Sequence, residues 1–385
     1  IGMLGMELER DHGWTDIEFA ALFTGLSGAT TAPGEAQDAI VRLIAEAGGL
    51  DALAAANSID DVRRISSRVS SAIDEYLDTW GLRAVRYEIA YPTVAEHPEW
   101  LLRQLQEHRP HPPDDPAARA TAERRLLEAL GDTPETHARL DEARRAFPVR
   151  ESNEAATVGL PIAVLRRVGL GAGRRLVRNG NLERPGDVFD LTVSEVTALL
   201  RSATLVPADP ALRAHNRRAA REAADARTPP LTVGPNSEAG LEAPDLSGFP
   251  QEIIDGTNAM VWYTTKIIGT PSQQTDERGG VRGLAVSPGT YEGTARVVLD
   301  ESELERIESG DVLVCPITSP VWSMVFPALG ALVCDSGGAL SHPAIIAREF
   351  GIPAVVGTGN ATTAIVDGTT VRVDGDAGTV TAVTS

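Results

Sequence analysis

The residues best placed to do chemistry lie together in Cys334–Thr358, CDSGGALSHPAIIAREFGIPAVVGT. Gly337 and Gly338 come just before Ser341-His342-Pro343. Glycine has no Cβ, so backbone at these positions can come close to a ligand. Pro343 suits a first helical position, where a missing N–H loses nothing. A helix start there presents unpaired N–H groups and the positive end of the helix dipole, and both favour an anion. An imidazole with a pKa near ~6.5 is largely neutral around pH 7, so a ring nitrogen can act as a nucleophile. A nucleophilic ring beside an anion site is suited to taking up a phosphoryl group. A histidine at a helix start can also merely cap the helix or fill a core, so the surrounding residues have to decide.

The elements that hold this histidine read as strand, glycine turn, helix, turn, strand. After Gly280 the pattern is one of short β-branched or apolar runs between Gly, Asp and Pro. It predicts strands at Ala295–Leu299, Val312–Cys315, Ala331–Cys334, Ala354–Val356 and Thr370–Val373, with a helix at Pro343–Phe350. Before about Arg227 the better helix formers dominate. Apolar steps of three and four predict helices within Ala36–Leu53 and Val62–Trp80, from Pro98, and over Ala117–Leu130, Pro134–Ala146 and Pro161–Arg178. Thr192 with Glu195 three residues on is a capping-box pattern. His108–Pro116 reads as a loop. Thr228–Pro250 is rich in Pro, Gly and Ser and reads as a linker. An apolar stretch at Met260–Ile268 follows it, and Gly269–Gly280 is the best hinge candidate. The expected division is a helical domain over 1–227, a linker and hinge over 228–280, and a compact β/α domain over 281–385.

The formal net charge of −19 disfavours nucleic acid and anionic membrane as partners. No apolar run is long enough to predict a transmembrane helix, and no signal peptide is visible. Cys315 and Cys334 each end a short apolar run and read as buried thiols, so a reducing cytoplasm is the expected location. Lys266 is the only lysine and reads as a trait of gene composition. No metal site is predicted.

The Gly337–Gly357 segment resembles the phosphohistidine signature of the phosphoenolpyruvate-utilising enzymes, with Pro343 where that family usually has Ala. GLAVSPGTYEGTARVV (Gly283–Val298) and GDVLVCPITSPVWSMVF (Gly310–Phe326) resemble earlier parts of the same swivelling domain. The resemblance implies a multidomain fold, with an all-α N-terminal domain plus a C-terminal β/β/α phosphohistidine swivelling domain. It implies His342 as phosphoryl carrier, with Ser341, Thr318, Gly337, Gly338 and Arg348 around it. Ser319 stands where the family more often has Asp.

The helical part resembles the rifampin phosphotransferase-like branch in Tyr76–Leu102 and Val149–Leu200, although Leu82 replaces a usual His. This implies Arg83, Arg150, Glu151 and Glu154 as substrate-binding residues, with Glu154 at the place of a family lysine. In that branch an ATP-grasp domain precedes the helical domain. This sequence has no glycine-rich phosphate loop followed by a lysine. ATP and Mg²⁺ are therefore expected only at an ATP-grasp domain in cis, outside this sequence, or in trans on a separate chain. The expected function is the substrate-binding and carrier part of a dikinase-type phosphotransferase acting on a hydroxyl of a largely apolar small molecule. Two alternatives stay open: a phosphotransferase-like dehydratase, and a non-catalytic regulatory or binding homologue.

Overall fold

A computed structural model of the chain describes residues 1–26, 28–83, 88–108, 116–201, 209–225, 227, 246–269, 280–319, 322 and 324–383. Most of the expected linker and hinge, residues 228–245 and 270–279, lies outside the described residues, as does 109–115 of the expected loop at His108–Pro116. Contacts group the chain into two units. One comprises Ile1–Gly81, His97–Glu154 and Ala243–Ser385, and the other Leu82–Glu96 with Ala155–Glu242. This grouping is by contact, whereas the division expected from sequence is by patterning, and the two cut the chain at different places.

Among the described residues every strand lies at or after Val281, and 1–225 is built of helices and turns. The strands are β1 (Val281–Arg282), β2 (Leu284–Ser287), β3 (Thr290–Val297), β4 (Val312–Cys315), β5 (Ala331–Cys334), β6 (Ala354–Val356), β7 (Thr370–Asp374) and β8 (Thr379–Ala382). They form one sheet in the order β1-β8-β7-β3-β4-β5-β6-β2. The run β3-β4-β5-β6 is parallel, and the flanking pairs are antiparallel. β7 also touches β5 and β6 without pairing with them, which gives the sheet a barrel-like curl.

β4, β5 and β6 are buried at every position. One side, Leu313, Cys315, Leu332, Cys334, Ala354 and Val356, packs with Ala344, Ile346 and Ala347 of the helix His342–Glu349 and with Phe350 just after it. The other side, Val312, Val314, Ala331, Val333 and Val355, packs with Val371, Val373 and Val380. Burial on both faces is why these strands read as unbroken apolar runs rather than alternating ones. Cys315 and Cys334 are register partners, with their sulfurs 3.4 Å apart as free thiols.

Helices of the first unit pack directly on this sheet domain. Leu340 and Ile345 join the core formed by Leu4, Phe19, Phe23, Leu126 and Phe147. Glu349 accepts from the Gly25 N–H at 3.1 and 3.2 Å, and Trp100 Nε1 donates to Glu305 at 2.9 Å. The apolar stretch at Met260–Ile268 is the end of a longer helix, Gln251–Ile268. In the second unit, the helix Leu160–Arg178 ends at Asn179 and Gly180, the latter with φ of 74°. The capping box at Thr192 and Glu195 is present in full.

Candidate active site

β4 and β5 end side by side, and the loops that leave them carry Thr318 and Gly337–His342. His342 is the first residue of its helix. Its Nδ1 lies 3.1 Å from Thr318 Oγ1. The residue is half-buried, and Nε2 is closed off from solvent in this conformation. Ser341 is the N-cap residue and is buried, yet its hydroxyl makes no capping bond. Ser341 Oγ has no hydrogen-bond partner among the described residues. Thr318 is also buried, and Ser319 beside it has a hydroxyl closed off from solvent.

Gly337 and Gly338 do bring backbone close to a neighbour, and in this structure the neighbour is another helix. The N–H groups of Gly337, Gly338 and Leu340 donate to the carbonyls of Ile268, Ile267 and Lys266, at 3.2, 3.0 and 2.9 Å. A Cβ on Gly338 would sit 2.2 Å from the Lys266 carbonyl oxygen. Gly337 has φ of 119°, a conformation that favours glycine. Sequence reasoning missed the helix Gln251–Ile268 as a part of this site. The one available signal was the apolar stretch at its end.

Arg348 lies in the last turn of the helix that begins at His342. It donates to the Val286 carbonyl at 2.9 Å and the Ala339 carbonyl at 2.8 Å, tying the glycine loop to β2. Burial pulls its guanidinium down to about 10. The structure thus gathers His342, Thr318, Ser341, Gly337, Gly338 and Arg348 at one end of the parallel strands. Loops at the carboxyl ends of parallel strands are where α/β sheets place their ligands.

The expected acceptor residues are described less completely. Arg83 is in the second unit, half-buried, and its carbonyl accepts from the Val94 N–H at 3.1 Å. Arg150, Glu151 and Glu154 lie on the last turns of the helix Pro134–Glu154, and their side chains lie outside the described residues. Sequence reasoning also missed Arg166. It is buried, grips Glu96 with two bonds at 2.6 and 3.1 Å, and donates to the Ile89 carbonyl at 2.8 Å. Burial works to raise the Glu96 carboxyl, but the Arg166 fork together with the Thr93 N–H and hydroxyl outweighs it and holds the group below its usual value. On the opposite face of the Arg166 helix, Leu160, Val164, Leu165 and Val168 are each about half exposed or more, at 49, 49, 59 and 65%. Among the described residues, no group of three or more His, Cys, Asp or Glu is placed to hold a metal ion. No described helix is long and apolar enough to cross a membrane.

Residues 307–378 match the family described as PEP-utilising enzyme, mobile domain, and residues 2–151 match the rifampicin phosphotransferase fourth domain. A rifampicin phosphotransferase from a Streptomyces species is 34% identical over 340 residues, covering 83% of this chain and 35% of that protein. Another, from Streptomyces sviceus, is 31% identical over 344 residues, with the same two coverages. The probable phosphoenolpyruvate synthase of Staphylothermus marinus is 48% identical over 102 residues, 26% of this chain and 12% of that one. The chain spans about a third of the length of the rifampicin phosphotransferases it matches. One match takes in Thr318 and His342 and the other takes in the helices that pack against Leu340 and Ile345, so the chain belongs to the phosphoenolpyruvate-utilising enzyme family, on its rifampicin phosphotransferase-like branch.

Proposed function

We propose that this chain is the acceptor-binding and phosphohistidine-carrier part of an ATP-dependent, dikinase-type phosphotransferase. The observation that carries the reading is the Thr318–His342 pair at the mouth of the parallel strands, inside the mobile-domain match. With Nδ1–H donating to Thr318 Oγ1, the basic lone pair lies on Nε2. Nε2 attacks the phosphorus of the donor, the N–P bond forms, and the P–O bond to the leaving phosphate breaks. Thr318 steadies the positive charge that the ring gains in this step. The acceptor hydroxyl then attacks phosphorus in turn and returns Nε2 to its free state.

ATP and Mg²⁺ bind, in this reading, to an ATP-grasp domain in cis or in trans. The acceptor is a largely apolar, hydroxyl-bearing small molecule. The exposed strip Leu160, Val164, Leu165 and Val168, with exposed Arg167 and Arg174 beside it, supports an apolar ligand with some polar character. Arg83 or Arg150 steadies developing negative charge, and Glu151 or Glu154 takes the hydroxyl proton. The net charge of −19 argues against nucleic acid and membrane as partners. The free thiols at Cys315 and Cys334 suit a reducing cytoplasm.

The test is to incubate the chain with ATP, Mg²⁺ and an ATP-grasp partner, then weigh chain and acceptor by mass spectrometry. Phosphate on His342 and on the acceptor is the expected result. Glu154, at the family lysine position, favours a second outcome, a dehydratase in which a carboxylate removes a proton beside the departing hydroxyl. That reading predicts an acceptor lighter by one water. Neither product would mean that the chain is a binding homologue and that the proposal is wrong.

A further inference from the structure

The helix Gln251–Ile268 ends with its carbonyls on the loop that carries His342. A helix leaves its last carbonyls without intrahelical partners and has the negative end of its dipole there. Here the amides of Gly337, Gly338 and Leu340 supply those partners. The approach leaves no room for side chains, since a Cβ on Gly269 would sit 2.3 Å from the Gly337 carbonyl oxygen. The helix is also held from its other side. Lys266 Nζ pairs with Glu9 at 2.9 Å and with Asp16 at 2.8 Å, and Trp262 Nε1 donates to Glu9. The lone lysine, which the sequence offered as a trait of gene composition, thus ties this helix to the N-terminal helices. In the same docked conformation His342 Nε2 is closed off from solvent.

We propose that this docked helix end is a latch, closed on the unmodified loop and released when His342 carries a phosphoryl group. The proposal rests on His342 being the carrier. A phosphoryl group brings close to two negative charges to the loop, beside the negative end of the helix. The same charge is drawn to loop amides and to the N-terminus of the His342 helix. Both effects pull the amides of Gly337, Gly338 and Leu340 away from the helix carbonyls. Linkage makes the effect reciprocal, so docking must in turn oppose phosphorylation. The carrier would thus be restrained when empty and freed when loaded, and the Lys266 anchor would keep the helix with the N-terminal helices when the loop departs.

Phosphoramidate tests this on the chain by itself, without any donor domain. The Nε2–P bond forms, the P–N bond of the zwitterionic reagent breaks, and ammonia leaves with the protons it already carries. Mass spectrometry locates the phosphoryl group, and hydrogen exchange is read on the peptide spanning residues 335–341. Exchange there should quicken by about tenfold or more once His342 is modified. Gly338→Ala, whose Cβ meets the Lys266 carbonyl, should quicken both exchange and labelling. Should that variant unfold, Lys266→Met loosens the helix from its other side and serves the same comparison. Labelling of His342 only in the loosened variant also supports the latch. Labelled His342 with unchanged protection overturns the latch and leaves the carrier reading standing. No label on His342 in wild type or in the loosened variant overturns both.

Discussion

Thr318 Oγ1 and His342 Nδ1 stand 3.1 Å apart at the ends of neighbouring parallel strands, 24 residues apart in sequence. The pair holds the orientation of the ring, and with Nδ1–H donating, as the proposed mechanism has it, Nε2 is the basic nitrogen. Thr318→Val keeps the shape and removes the hydroxyl. It should slow phosphorylation of His342 by about tenfold, the worth of one hydrogen bond. Thr318→Ser should restore most of the rate. Quench-flow labelling of the chain measures both, and a valine variant that labels at the wild-type rate would remove Thr318 from the mechanism.

Arg348 acts on the same loop from behind. Its two carbonyl partners, on Val286 and Ala339, would lose their donor in Arg348→Met. The expected loss of stability is about 1–3 kcal/mol, read by urea or thermal unfolding. Arg348→Lys should recover little of it, because one ammonium cannot reproduce a planar fork that reaches two separate carbonyls. Full recovery by lysine would show that charge, not the fork, is what the loop needs.

In the second unit, Glu195 caps the helix Val193–Leu200 and meets Arg217 and Arg213. The Arg217 hydrogen bond, with help from the Thr192 N–H, holds its carboxyl down at about 2, against an ordinary 4.5. A depressed carboxyl contributes its full stability above the unfolded value and loses it as pH falls through the folded one. Glu195→Gln leaves a capping acceptor in place but removes the charge that Arg217 and Arg213 meet, so it should cost about 0.5–1 kcal/mol at pH 7. The gap between variant and wild type should close as pH falls from about 4.5 towards 2. Thermal melts across that range test this, and a gap that stays constant would contradict it.

The parallel strands were legible because Val312–Cys315, Ala331–Cys334 and Ala354–Val356 are enclosed on both faces, so each reads as a solid apolar run. β1, β2 and β8 gave no such signal. β1 has two residues, and β2 and β8 have exposed positions mixed with buried ones. The helix Gln251–Ile268 was seen only at its apolar end because Gly256 and its β-branched residues lower local helix propensity. It is held instead by contacts far away in sequence, with Glu9, Asp16 and the glycine loop. For the same reason Gly337 and Gly338 announced a close approach without saying to what. A missing Cβ is a local property, whereas the helix end that fills the space is set by the tertiary fold. Thr318, Ser341 and His342 could be picked out together because the pattern around them is long and specific, and the structure brings them to neighbouring loops. Arg166 could not be, since one arginine among several on its helix carries no mark of burial.

The acceptor-binding proposal makes the last prediction. On the helix Leu160–Arg178, Ala163, Arg166, Gly173 and Leu176 face inward, while Leu160, Val164, Leu165 and Val168 face out. A contiguous exposed apolar strip of this kind marks a binding surface. Val164→Asp and Val168→Asp place a charge on the strip without touching the buried face, so the fold should hold. Each should raise the KM for an apolar acceptor by about tenfold, the loss of one buried aliphatic contact. Phosphorylation of His342 should be unchanged, because neither residue belongs to the Thr318–His342 site. Arg150→Ala and Glu151→Gln should instead lower kcat for transfer, as expected for groups that act on the reacting hydroxyl. The split between KM and kcat separates binding from chemistry. If the strip variants transfer normally and the Arg150 and Glu151 variants also transfer normally, the acceptor binds elsewhere. If the strip variants lose His342 phosphorylation as well, the strip serves the fold or the donor rather than the acceptor.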